Sequence, residues 1–321
     1  MAKTYKLIGD IGGTHARLAL AAPGSADPLA EKHFATADFP DFAAVLAAYL
    51  AGVGAPVTSG CLAVAGPIED TGRRARLTNL PWTMDCAALE RRFGIGRLAL
   101  VNDFAAAAMG VTAAPPATLT RVQEGAPLNN APRLVIGAGT GLGMAILTPC
   151  DGGWQVLPSE GGHIAFAPLD EQQDRVCQAL RREVGRVTAE RIVSGPGLSA
   201  IHRILAGVTL DAAEITRRAL QSADAAARET LNVFFAAYGA VAGDMAMAVL
   251  ARGGVYLAGG IAAKLLPALP ASPFLAAFNA KAEHAALAQR MPVTVVTDAS
   301  LGLRGAALLG IRDQGSGIGC G

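Results

Sequence analysis

Leu7-Ile8-Gly9-Asp10-Ile11-Gly12-Gly13-Thr14, continued through Arg17 to Leu20, decides how this chain is read. An apolar run stops at a turn rich in glycine and a second apolar run starts about seven residues after the first, the spacing of an antiparallel hairpin. The same order returns at Val135-Ile136-Gly137-Ala138-Gly139-Thr140-Gly141 and runs through Leu147. Two units of apolar strand, Gly/Thr turn and apolar strand indicate an internal duplication, with a chance match of two Gly-rich hairpins as the alternative.

Around these hairpins the first hundred residues alternate short β-rich runs with helical patterns. Strands are expected at Tyr5–Gly9, Arg17–Ala22, Lys32–Thr36, Cys61–Ala65 and Leu98–Val101, and helices at Phe42–Leu50 and Asp85–Phe93. Hairpins first and helical crossovers later imply a mixed sheet. The Pro-rich segment Ala113–Ala117 is the expected crossing between halves. Beyond Asp170 the pattern is mainly helical to Arg252, then strands return at Val255–Ala258 and Val293–Thr297, and Leu301–Ile311 is the last helix. The boundaries that follow are a small α/β domain over residues 1–112 with helix 301–312 packing on it, a large α/β domain over 113–300, and a Gly/Ser tail over 313–321, expected to be poorly ordered.

Composition narrows the function. The 321 residues are 52% hydrophobic but 5% aromatic, with 38 Gly, and suit about two layered α/β domains. Twenty-seven Lys+Arg against 26 Asp+Glu leave a net charge of +1, which offers no field to attract nucleic acid or an acidic membrane face. The five cysteines fall in no metal-binding spacing and fit a reducing cytoplasm. Val233–Ala251 carries one charge, Asp244, and is rich in Ala and Gly, so it reads as a buried core helix and not as a membrane span. Helix 224–251 as a whole suits either a core or a dimer seam.

Glycine lets backbone amides approach a phosphate with no Cβ in the way. Neither GxxxxGK[ST] nor GxGxxG is satisfied, so these glycines are not a P-loop or a dinucleotide fingerprint. Two Gly-Thr hairpins and the strand-terminal Gly259-Gly260 point instead to a nucleotide held between two lobes. Asp10 is a hard oxygen donor suited to Mg²⁺ through water, or an acceptor for its own turn; Thr14 and Arg17 can address phosphate oxygens or water. Asn102-Asp103 follows an apolar strand and begins a helix, the place where α/β sheets gather ligands and also where Asp and Asn cap helices. In the functional reading Asp103 takes a proton from a substrate hydroxyl and Asn102 fixes a neighbouring one. Glu160-Gly-Gly-His163 suits polyol recognition better than metal, and Glu190 and Asn79 are candidates for the same ligand, each with a plain structural alternative.

Taken in order, these segments resemble the bacterial glucokinase family, within the superfamily of hexokinases, actin and heat-shock chaperone ATPases. Gly9-Asp10-Ile11-Gly12-Gly13-Thr14 with Arg17 resembles its first phosphate motif and Gly137–Gly143, with Gly139, Thr140 and Gly141, its second. Val101-Asn102-Asp103-Phe104 is similar to the segment bearing the catalytic Asp. Glu160-Gly-Gly-His163 and Glu190, ahead of Ser194-Gly-Pro-Gly197, resemble the glucose contacts, and Leu257-Ala-Gly259-Gly260-Ile261 the adenosine turn. The resemblance implies a two-domain actin-like ATPase fold, a duplicated ribonuclease-H-like architecture with a cleft between lobes. It also implies ATP- and Mg²⁺-dependent phosphorylation of D-glucose at its 6-hydroxyl, the first step of glycolysis, by a cytoplasmic enzyme that is commonly a homodimer. His15 stands where the family more often carries Asn. A kinase for another hexose, and a non-catalytic sugar or nucleotide switch of the same superfamily, are the rival readings.

Overall fold

The computed structural model describes residues 4–312 apart from Asn79 and Ala223. The expected substrate contact at Asn79 and the expected tail 313–321 therefore lie outside the described residues. The chain divides into two compact units, one made of residues 1–115, 150–158 and 298–321, the other of 116–149 and 159–297. The polypeptide first passes between them at Pro115-Pro116.

In the first unit the elements are β1 (Tyr5–Ile11), β2 (His15–Ala21), β3 (Pro28–Ala35), α1 (Phe42–Val53) and β4 (Val57–Val64). There follow β5 (Arg74–Arg76), β6 (Thr83–Asp85), α2 (Cys86–Phe93), β7 (Arg97–Asn102) and α3 (Asp103–Val111). The main sheet runs β3-β2-β1-β4-β7, with β1 antiparallel to β2 and parallel to β4, and β4 parallel to β7. It is the mixed sheet expected from hairpins followed by crossovers. Helix α1 shows how sequence becomes packing. Asp41 caps it by accepting the Ala44 N–H, and Gly54 ends it in the left-handed region at φ 61°. Phe42, Val45, Leu46 and Tyr49, spaced to share one face, are buried. The β5–β6 hairpin carried no alternating pattern long enough to read, because each strand is three residues.

The C-terminal helix Leu301–Arg312 belongs to this unit. It presses on α3 so closely that a Cβ at Gly305 would lie 1.7 Å from the Ala106 carbonyl oxygen. Only glycine allows that approach, so the helix starting at Asp103 rests on a rigid floor.

In the second unit come β8 (Leu119–Gln123), β9 (Arg133–Ala138) and β10 (Leu142–Cys150), the last followed by β11 (Gly153–Ser159), most of which clusters with the first unit. The helices are α4 (Glu171–Val184), α5 (Ala189–Ile192), α6 (Gly195–Ala206), α7 (Ala212–Gln221) and α8 (Ala225–Ala248). Then come β12 (Gly254–Ala258), α9 (Gly259–Leu265), α10 (Phe274–Asn279), α11 (Ala285–Gln289) and β13 (Val293–Val296). The order β10-β9-β12-β13 repeats β2-β1-β4-β7, an antiparallel hairpin whose first strand has two parallel strands beyond it. β8 adds an antiparallel edge next to β13. Helix α8 is long and apolar enough to cross a membrane by length and composition, but its inward side is packed in the core. Gly239 and Gly243 let it meet α10, where a Cβ would lie 2.1 and 2.4 Å from the carbonyl oxygens of Phe274 and Phe278. Asp244 is paired with Lys281 Nζ at 2.7 Å.

Candidate active site

Parallel pairing sets the geometry of the first unit's site. Ile11 is in register with Val64, and Val64 with Asn102, so β1, β4 and β7 end at one level. Adjacent strands lie about 4.8 Å apart, which puts the Gly12 turn and Asp103 roughly 10 Å from each other along one sheet edge. Asn102 Oδ1 accepts the Ala105 N–H at 3.0 Å and caps α3. Asp103 is the first residue of that helix, half-buried, and its Oδ1 accepts the Phe104 N–H at 2.8 Å. The capping role and the chemical role weighed for this pair in the sequence are thus compatible: one oxygen of each side chain is used for the turn.

Asp10 and Arg17 face each other in the β1–β2 register, and the guanidinium pairs with the Asp10 carboxylate while also donating to the Ala299 carbonyl. The first turn of the C-terminal helix closes in from another side, where a Cβ at Gly302 would lie 2.9 Å from Asp10 Oδ2. Arg17 therefore holds Asp10 and the start of the last helix together, a structural engagement that its sequence position did not reveal. Gly12 closes the first turn by donating its N–H to the His15 carbonyl at 2.9 Å, and Thr14 is exposed at the tip. The departure at position 15 thus contributes its backbone to the turn.

In the second unit the corresponding turn is tighter. Gly139 donates to the Gly141 carbonyl and Gly195 donates to the Gly139 carbonyl, both at 2.8 Å. Thr140 is exposed at the tip. Gly259 has φ +84° and sits where a Cβ would be 2.9 Å from the Ala138 carbonyl oxygen, so the Gly259-Gly260 turn abuts the end of β9.

The backbone of Leu142 organises the polar residues. Its N–H donates to Glu190 Oε2 at 2.9 Å. Its carbonyl oxygen is met by Gly162, where a Cβ would lie only 2.1 Å away, and Gly161 is pressed against the Met144 sulfur in the same way. Gly162 is therefore required by close packing on the β10 backbone while Gly161 meets only a side chain, and Glu160 and His163 on either side of them stand outward and exposed, 3.8 Å apart. Ala189 donates to the Ile164 carbonyl at 2.9 Å, which ties the His163 loop to the helix bearing Glu190. Sequence spacing could not show this convergence, because it is made by backbone contacts between segments far apart in the chain.

The sequence-predicted residues thus fall into two groups. Asp10, Gly12, Gly13, Thr14, Arg17, Asn102 and Asp103 gather in the first unit, and Gly139, Thr140, Gly141, Glu160, His163, Glu190, Gly259 and Gly260 in the second. No group of three or more His, Cys, Asp and Glu side chains able to hold a metal occurs among the described residues. A single hard carboxylate such as Asp10 still fits Mg²⁺, which keeps most of its waters and takes its remaining ligands from phosphates. Among the described cysteines Cys61, Cys86 and Cys177 are buried, and burial pushes the Cys86 thiol up to about 11.

A family model described as Glucokinase matches residues 7–312. A glucokinase of Marinobacter nauticus is 42% identical over 313 residues, covering 95% of this chain and 97% of that protein. Among solved structures, a glucokinase from an Antarctic psychrotroph superposes with a TM-score of 0.84 at 33% identity, over 96% of this chain and 99% of the other. A glucokinase from Balamuthia mandrillaris, solved in complex with glucose, has a TM-score of 0.81 at 24% identity, over 96% and 94%. The fold is the two-domain actin-like ATPase fold that the family resemblance implied.

Proposed function

This chain belongs to the glucokinase family, and from that premise we propose that it transfers the terminal phosphoryl group of ATP to the 6-hydroxyl of D-glucose, with Asp103 as general base. The observation that carries the proposal is the level at which β1 and β7 end, with Asp103 and the Gly12-Gly13-Thr14 turn on one sheet edge. A carboxylate beside an amide-rich turn suits removal of a hydroxyl proton and stabilisation of phosphate charge.

In this reading Asn102 and Asp103 are the first unit's contacts to glucose, and Glu160, His163 and Glu190 are the second unit's, with Asn79 a further contact. Asp103 accepts the proton of the attacking hydroxyl, a contribution of roughly 10² to 10⁴ in rate. Asn102, with its Oδ1 committed to the α3 cap, offers its amide N–H groups to a sugar oxygen. Gly12, Gly13, Thr14 and Arg17 serve the phosphates on one side, Gly139, Thr140 and Gly141 on the other, and Gly259-Gly260 the nucleoside. Phosphoryl transfer depends mainly on positioning and charge stabilisation, so the turns carry the larger share. Bound near Asp10, Mg²⁺ supplies charge neutralisation for the phosphates. A cytoplasmic compartment and a homodimeric assembly complete the proposal.

A coupled assay of ADP release across a panel of sugars tests it. Turnover with D-glucose well above mannose, fructose and N-acetylated hexosamines is expected, since a site that pairs with each hydroxyl of glucose is left with unpaired polar groups when a hydroxyl is reoriented, moved or replaced. Equal turnover with another hexose overturns the substrate and leaves the kinase class. ATP binding with no sugar-stimulated ADP release overturns the enzyme reading. Light scattering of the purified protein tests the homodimer.

A further inference from the structure

Thr36 immediately follows β3, as the first residue of a short 3₁₀ turn, outside every motif read from the sequence, and it is 2% exposed. Its Oγ1–H donates to the Gly13 carbonyl at 2.9 Å, and its backbone N–H donates to the Thr14 carbonyl at 3.0 Å. One residue thus holds the two successive carbonyls at the tip of the first glycine turn.

The consequence follows from peptide geometry. In a trans peptide the C=O of one residue and the N–H of the next point in opposite directions. The Gly13 carbonyl is drawn toward Thr36, so the Thr14 N–H is turned the other way, and the Thr14 carbonyl bond does the same for the next peptide. The amide so turned is that of Thr14, and among the described residues neither it nor the neighbouring Gly13 amide donates to a backbone carbonyl. Successive amides left unspent in a turn are what an anion-binding nest requires. A turn with two glycines has many other conformations open to it, and ordering them at the moment of binding is costly.

We propose that Thr36 is a positioning residue for nucleotide phosphates: it pre-orients the Thr14 amide at the tip of the first glycine turn and thereby sets affinity for the phosphate part of the nucleotide without touching it. The proposal rests on the reading of Gly12–Thr14 as a phosphate turn. It also predicts a division of labour within Thr36, because the backbone bond survives any substitution but proline, which has no N–H, while the hydroxyl bond is removable by a change of side chain.

The experiment compares Thr36→Val, which keeps the shape and removes the hydroxyl, with Thr36→Ser, which restores it. ADP and adenosine affinities are measured calorimetrically alongside KM for ATP and for glucose. Thr36→Val is expected to weaken ADP binding and raise the ATP KM about five- to tenfold, the worth of one net hydrogen bond. Adenosine affinity and glucose KM stay within about twofold of the parent protein, and Thr36→Ser recovers ADP binding. A third variant, Gly12→Asp, tests the underlying reading alone. A Cβ there meets only the His15 carbonyl oxygen at an ordinary 3.5 Å, so the new carboxylate is tolerated and repels phosphate. If Gly12→Asp loses ADP affinity while Thr36→Val keeps it, the role of Thr36 is overturned and the phosphate turn stands. If Gly12→Asp binds ADP normally, the phosphate turn itself is wrong. Equal loss of ADP and adenosine in Thr36→Val, or no recovery in Thr36→Ser, overturns the positioning role in favour of a structural one.

Discussion

Glu190 Oε2 accepts the backbone N–H of Leu142 at 2.9 Å, across 48 residues of sequence, at the point where the second glycine turn becomes a strand. The same carboxylate stands so near Gly141 that a Cβ there would be 2.4 Å from it. A residue proposed to bind sugar is therefore also a support for the turn proposed to bind phosphate. Hydrogen bonds to charged groups are worth about 1.5 to 3 kcal/mol. Glu190→Ala is expected to lower kcat/KM about tenfold or more and to raise the KM for ATP as well as for glucose. Glu190→Gln keeps an oxygen for the Leu142 N–H, so its ATP KM stays closer to the parent value. Steady-state kinetics with each substrate varied would show the coupling, and a change confined to glucose would remove it.

Asp103→Asn keeps an Oδ1 for the Phe104 N–H, so the first turn of α3 is preserved. The variant is expected to fold with an unchanged far-ultraviolet spectrum and to bind glucose, with kcat reduced roughly 10²- to 10⁴-fold. Near-normal kcat would take Asp103 out of the mechanism.

The two glycines before His163 should differ on substitution. Gly162→Ala drives a Cβ to 2.1 Å from a backbone carbonyl of β10, which cannot yield without moving the sheet. Gly161→Ala meets the Met144 side chain, whose thioether has rotamers to spare. Gly162→Ala should lower the melting temperature by several degrees and raise the glucose KM, with Gly161→Ala the milder of the two. Calorimetric melting of both variants checks the order.

Acid should act on the first unit through Glu90. Hydrogen bonds from the Arg73 guanidinium at 2.7 and 2.9 Å, then the Leu98 N–H, hold its carboxyl below the ordinary carboxylate range. A carboxylate with a depressed folded-state pKa stabilises the fold fully above its unfolded value, about 4.3, and loses that stabilisation as pH falls through the folded value. Stability should therefore fall below about pH 4, less steeply in Glu90→Gln, and the difference should shrink in high salt because Arg73 is partly exposed. Urea midpoints from pH 7 to pH 3 measure it.

Much of this protein could be read from local pattern. The period of apolar residues in Phe42–Tyr49, the alternation of hairpin and crossover, and the two Gly/Thr turns are properties of neighbouring residues, so the first mixed sheet could be read and a duplication favoured over a chance match of two Gly-rich hairpins. Asn102 and Asp103 could be chosen because the end of an apolar parallel strand is a fixed address in such sheets. The register that puts Asp103 and Gly12 on one edge, the contact of Glu190 with Leu142, and the grip of Thr36 on the first turn were decided only by tertiary structure. Each is made by hydrogen bonds or close approaches between segments brought together by burial of the strands and helices around them. Burial is non-directional and leaves its trace in composition and periodicity. Directional bonds between distant backbones leave none in either segment alone, and they are what orient the groups that do the chemistry.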